Sequence, residues 1–187
     1  YSYPLSRAVG IAKNNCFAIF IDATVEAFED LIDNYDLGFP ADRRRDLSAV
    51  ALRAFEISIS DLSTFDFEDQ VFIPVLLGWQ FPFYDVVFVD EAQDLSPINH
   101  EMVERLAKRG ARIISVGDDR QAIYGFRGSM TNSLDVLKEH FSMIELPLPV
   151  SYRCSLAVIL EAQKLCPDIQ ARSAAPPGGV FSVDQDP

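Results

Sequence analysis

The chain has 187 residues, 49% of them hydrophobic and 11% aromatic, with 16 Lys+Arg against 28 Asp+Glu and a formal net charge of −12. So much apolar material excludes wholesale disorder, and the length allows one full domain or two partial ones at roughly 150 residues each. The acidic total weighs against a nucleic-acid partner, yet the surplus is local: residues 61–100 carry eight acidic side chains and no basic one.

In chain order, Ile21, Val25, Phe28, Leu31 and Ile32 recur at helical spacing, as do Leu47, Val50, Leu52, Ala54, Phe55 and Ile57. Two helices are therefore expected within 22–60, separated at Gly38-Phe39-Pro40. Phe65-Asp66-Phe67-Glu68-Asp69 opens a further helix running to about Gly78, in which Pro74 predicts a kink or a late start. Val86-Val87-Phe88-Val89 lacks polar alternation and reads as a strand buried on both faces. Ser96-Pro97 begins a helix expected to run to about Arg109 and to close at Gly110, with a second strand over 112–116. Thr131 to His140 reads as a helix, Met143-Ile144-Glu145-Leu146 as a third strand, and 155–165 as another helix. Residues 174–179 form a linker, and Val180-Phe181-Ser182-Val183 begins a strand of another sheet. Strand–helix–strand–helix–strand is the alternation of a parallel α/β sheet.

Cys16, Cys154 and Cys166 are odd in number and share no short spacing. That disfavours a disulfide framework or a zinc site and points to a reducing, cytoplasmic setting. Apolar runs such as Cys16 to Ile21 fall far short of the ~20 residues of a membrane span, so no membrane partner is expected. The chain opens on Tyr1 rather than Met and reads as a piece of something longer.

The chemistry concentrates at three places. Asp90 and Glu91 follow the first strand directly, and ligands of open parallel sheets bind at the carboxyl ends of strands. Paired carboxylates there suit Mg²⁺ on one acid and proton acceptance from water on the other, or simply complement a helix start. Val116-Gly117-Asp118-Asp119-Arg120-Gln121 repeats the arrangement and adds a glutamine able to orient water or touch a γ-phosphate. Tyr124, Phe126 and Arg127 follow, aromatics interleaved with a cation as in base-stacking loops, or else side chains tucked into the core. Arg153, just ahead of a helix, is placed to reach an anion.

Together these segments resemble the UvrD/Rep group of superfamily 1 helicases. Val87 to Asp94 is similar to that group's Walker B motif, Gly117 to Ser129 to its third motif, and Ser151 to Ser155 to its fourth. Asp66-Phe67-Glu68-Asp69 resembles its short motif ahead of Walker B. The resemblance implies an ATP-dependent DNA helicase that hydrolyses ATP with Mg²⁺ and steps along single-stranded DNA, generally 3′ to 5′, unwinding duplex in DNA repair or a related process. It implies Asp90 as the metal ligand, Glu91 as general base and Gln121 as γ-phosphate sensor. Arg153 would be an arginine finger, with Tyr124, Phe126 and Arg127 against DNA. The implied fold is part of a RecA-like P-loop NTPase sheet: a helical insertion over 1–64, the second half of the first RecA-like domain over 65–147, and the start of the second over 148–187. No Gly-Lys dipeptide occurs, so the phosphate-cradling G-x-x-x-x-G-K-[ST] loop is absent from these residues. An inner piece of a motor, inactive by itself, is the resulting expectation. A non-catalytic repair module, or a Mg²⁺ phosphohydrolase using Asp90 and Asp118, are the alternatives.

Overall fold

Helical spacing of apolar residues governs the first third of the chain. The computed structural model describes residues 2–122, 128, 130 and 132–181. Helices α1 (Ser2–Asn14), α2 (Val25–Asn34), α3 (Arg44–Ser60) and α4 (Asp69–Leu76) contribute to one core. In α3 the inward stripe is Leu47, Ala51 and Phe55, four residues apart, while Val50 and Ile57 face outward. Helix α1, which the periodicity did not single out, buries Ala8, Val9, Ile11 and Ala12. Phe17, Phe28, Phe55 and Phe72 form an edge-to-face chain with successive centroids 5.3, 5.8 and 6.0 Å apart. Thr24 caps α2, its Oγ1 accepting the Ala27 N–H at 3.1 Å.

The Asp66-Phe67-Glu68-Asp69 segment starts α4 by reciprocal bonding. The Asp69 N–H donates to Asp66 Oδ1 at 2.9 Å, and the Asp66 N–H to Asp69 Oδ2 at 3.0 Å. Between them lies the Lys13 ammonium, fully buried, 2.6 Å from Asp66 and 2.7 Å from Asp69. The helix begins at Asp69, so Pro74 does not delay its start but lies inside its eight residues. Gly78, at φ +63°, stops it with its N–H on the Val75 carbonyl.

Strand β1 (Tyr84–Val89) and strand β2 (Ala107–Ser115) pair in parallel, joined through helix α5 (Pro97–Leu106). Pro97 takes the first helical position, and Asn99 Oδ1 accepts the Ser96 N–H at 3.1 Å and its hydroxyl at 2.8 Å. Val87, Val89 and Ile113 pack with Val103 of α5 and Leu137 of helix α6 (Ser133–His140). Parallel strands joined through a helix make this unit α/β.

Several expectations are corrected. The first strand is covered on one face only among the described residues: Val86, Phe88 and Ile114 point the other way, and Phe88 is 75% exposed. An all-apolar run conceals that difference, because both faces carry the same residue type. Helix α5 stops at Leu106, and Gly110 does not close it; Gly110, at φ +80°, sits within β2. There β1 advances two residues, Tyr84 to Val86, while β2 advances five, Ala107 to Arg112, a bulge that glycine accommodates. The third strand over 143–146 is absent, and Ile144 lies 87% exposed in coil with no ladder partner among the described residues.

The chain divides into two compact units, Tyr1–Met143 and Ile144–Pro187. In the second, strands β3 (Val150–Ser151) and β4 (Gln170–Ala171) pair in parallel around helix α7 (Leu156–Ala162). The first N–H groups of α7 donate to the Pro176 and Pro177 carbonyls at 2.8 and 3.0 Å, giving that linker a capping role. Val180 and Phe181 are coil, and the rest of the strand expected there lies outside the described residues.

Candidate active site

Two loops leave the carboxyl ends of β1 and β2 side by side, stitched by backbone bonds. The Val116 N–H donates to the Val89 carbonyl at 2.8 Å, and the Ala92 N–H to the Val116 carbonyl at 2.9 Å. Asp90 and Glu91, both exposed, sit at the first strand end, and Asp118 and Gln121, also exposed, at the second. Glu91 adopts a left-handed conformation, φ 49° and ψ 43°, which costs a non-glycine residue about 1–2 kcal/mol. Such a conformation persists where neighbours over-determine it. Here the Asp94 N–H holds the Glu91 carbonyl at 2.9 Å, closing a single 3₁₀ turn, Ala92–Asp94.

The side chains form one hydrogen-bonded series. Gln93 Nε2 donates to Glu91 Oε2 at 2.7 Å, and Gln93 Oε1 accepts the Asp118 N–H at 3.1 Å. Asp118 Oδ2 in turn accepts from Gln121 Nε2 at 2.9 Å, while its Oδ1 accepts the Arg120 N–H at 3.1 Å and caps the turn Asp119–Gln121. Glu91 and Gln121, 30 positions apart, are thereby joined through two intermediates. Gly117 makes the approach possible: a Cβ there would lie 2.6 Å from Gln93 Oε1 and 3.2 Å from the Ala92 nitrogen.

The second tie runs to α6. The Ser133 hydroxyl donates to the Ala92 carbonyl at 2.6 Å, and His100 Nε2 lies 2.9 Å from the same Oγ. With the serine proton committed to the carbonyl, the ring nitrogen is the donor of that pair. Burial, and secondly the His140 charge, hold His100 below the ordinary histidine range. The Asp94 carboxyl is held above its ordinary range, by burial first and by the Glu91 charge second.

Asp90 suits a hard divalent cation. Its Oδ1 accepts the Glu91 N–H at 3.0 Å, and among the described residues its other oxygen takes no hydrogen bond. No three His, Cys, Asp or Glu side chains gather into a metal site among the described residues. An ion here would complete its shell with water and phosphate oxygens, the usual habit of Mg²⁺. Glu91 Oε1 is likewise left free among the described residues, a carboxylate oxygen able to accept a proton.

Of the residues singled out from sequence, Asp90, Glu91 and Gln121 belong to these adjoining loops. Arg153 lies in the second unit, exposed between β3 and α7. Tyr124, Phe126 and Arg127 lie outside the described residues. Gln93, Gly117 and Ser133 were not given roles. Gln93 had one signal, a lone amide inside an acidic run.

Carboxylates and an amide at the ends of parallel strands define an α/β protein with a strand-end polar site. The UvrD/REP helicase N-terminal domain profile matches residues 23–142, and the chain belongs to that family. Its relatives include the ATP-dependent DNA helicase Rep of Escherichia coli K12, 30% identical over 121 residues, 59% of this chain and 18% of the relative. The Rep helicase of Salmonella typhimurium LT2 matches with the same identity and coverage. DNA helicase II of Haemophilus influenzae Rd is 30% identical over 79 residues, 42% of this chain and 11% of its own length. The chain spans less than a fifth of each of these relatives. Among the described residues no helix is long and apolar enough to cross a membrane.

Proposed function

We propose that this chain is a segment of an ATP-dependent DNA helicase or translocase that hydrolyses ATP with Mg²⁺ to move along single-stranded DNA and unwind duplex, 3′ to 5′ as the resemblance implies. The observation that carries this reading is the series Glu91–Gln93–Asp118–Gln121 at the ends of two parallel strands, in a chain of the UvrD/Rep family. The β1–β2 pair would belong to the first RecA-like domain with residues 65–147, helices α1 to α3 to an insertion subdomain over 1–64, and residues 148–187 to the start of the second RecA-like domain.

Asp90 would hold the Mg²⁺, which when bound supplies charge neutralisation at the phosphate oxygens. Glu91 Oε1 takes a proton from the attacking water, while its Oε2 stays on Gln93 and fixes the carboxylate plane. Gln121 contacts the γ-phosphate, and its bond to Asp118 sets the amide's orientation. Arg153 provides positive charge to the transferring phosphoryl group as an arginine finger. Tyr124 and Phe126 stack on bases of the single strand, with Arg127 supporting their loop.

In the full-length protein Glu91→Gln keeps size and shape but accepts no proton. Steady-state hydrolysis is expected to fall by the 10²–10⁴ typical of a lost general base, with nucleotide affinity nearly unchanged by titration. Turnover within about twofold of wild type would remove Glu91 from that role.

A further inference from the structure

We propose that Gln93 is a positioning residue that locks the Glu91 carboxylate to the Asp118–Gln121 turn, so that proton acceptor and γ-phosphate contact are aligned as one unit. The inference rests on the roles proposed for Glu91 and Gln121, and adds one for a residue that reaches no substrate.

Five observations carry it. Gln93 is 2% exposed although Glu91 and Asp118, which it joins, are exposed. Burying an amide is costly unless it is bonded, and both of its ends are bonded across the two loops. Its orientation is chemically determined: a carboxylate only accepts and a backbone N–H only donates, so a flipped amide loses both partners. A Cβ at Gly117 would lie 2.6 Å from Oε1 and would displace the amide, which ties the second loop to it. Glu91 occupies a left-handed backbone conformation, and the Gln93 amide restrains its side chain.

The mechanical consequence is direct. A shift of the Asp118–Gln121 turn moves the Asp118 N–H, and the amide transmits that shift to Glu91 Oε2. Contact of Gln121 with a terminal phosphate therefore also sets the proton acceptor, and loss of that contact releases it.

The test uses the full-length protein. Gln93→Met preserves length and packing but removes the amide's hydrogen bonds to Glu91, Asp118 and, at 3.5 Å, Asp94. The kcat of single-stranded-DNA-stimulated ATP hydrolysis is expected to fall about 10–100-fold, the usual cost of losing a group that orients a functional side chain. KM for ATP and the affinity for a non-hydrolysable analogue stay within about twofold, and the melting temperature is unchanged. In a Gln121→Ala background the same substitution should cost markedly less, because the linkage it breaks is already idle. Gln93→Asn, too short to span both partners, should reproduce the kcat-only loss and serves if the methionine variant misfolds. Wild-type kcat in both variants would overturn the proposal, as would losses in kcat, nucleotide affinity and melting temperature together, which mark a packing residue. Turnover retained by Glu91→Gln would instead sink the reading of the site itself.

Discussion

Lys13 illustrates how much a single charge can carry. It is fully buried on α1, and its ammonium is the counter-ion of Asp69, itself 3% exposed, and of the half-exposed Asp66. Removing one partner of a buried pair strands the other, at a typical cost of about 3–5 kcal/mol. Lys13→Met is therefore expected to lower stability by that order, read as a shifted midpoint in urea unfolding, whereas Lys13→Met combined with Asp69→Leu should recover much of it. Asp66 reports the same cluster through pH. Burial pushes its carboxyl up, but Lys13 and the bond from the Asp69 N–H more than offset that, and the group sits below the ordinary range. A depressed acid contributes stability above its unfolded value near 4, and that contribution is lost as pH falls through the folded value. At this scale the sequence disclosed Asp90 and Glu91, because two acids end an apolar run. It did not disclose the Gln93 linkage, because the amide's second partner lies 25 residues away in a different loop.

Among the elements, helix α6 is held to the Ala92–Asp94 turn through Ser133, with His100 of α5 completing the contact. Burial, and secondly the His140 charge, hold His100 below its ordinary range, so folding disfavours its charged form. The unfolded chain takes up that proton near pH 6.5, and the stability His100 contributes is present above that pH and lost as pH falls toward the lower folded value. Melting temperature measured from pH 8 to 5 is expected to decline below about 6.5, with a shallower decline in His100→Gln. An unchanged slope in that variant would assign the acid sensitivity elsewhere. Element types were largely legible: helices α2, α3 and α6 and strand β1 fall close to where periodicity places them, whereas α5 ends at Leu106 and β2 begins at Ala107, both earlier than expected. Local pattern could not show that Gly110 makes a bulge rather than a helix stop, since helix end and strand start are contiguous at Leu106 and Ala107. Nor could it show that 143–146 forms no strand among the described residues, because β-propensity expresses itself only where a neighbouring strand accepts it.

For the molecule as a whole, the chain contains two compact units and carries its polar strand-end loops on the first. The exposed face of Val86, Phe88 and Ile114 is a surface that more chain can cover, consistent with coverage of less than a fifth of the Rep relatives. The DNA contact proposed for Phe126 belongs to this scale, because it would couple hydrolysis to movement. Phe126→Ala in the full-length protein is expected to weaken single-stranded DNA binding by roughly 1–3 kcal/mol, the worth of one stacked base, measured by fluorescence anisotropy with a labelled oligonucleotide. Unchanged affinity with a lowered melting temperature would make Phe126 a core residue.

The most direct measurement is phosphate release from ATP by the full-length protein, with Mg²⁺, in the presence and absence of a single-stranded oligonucleotide. A motor of the UvrD/Rep kind is expected to accelerate clearly when DNA is added, and Glu91→Gln should remove both the basal and the stimulated rate. Phosphate release that is metal-dependent but indifferent to DNA would contradict the translocase, and would return Asp90 and Asp118 to a phosphohydrolase.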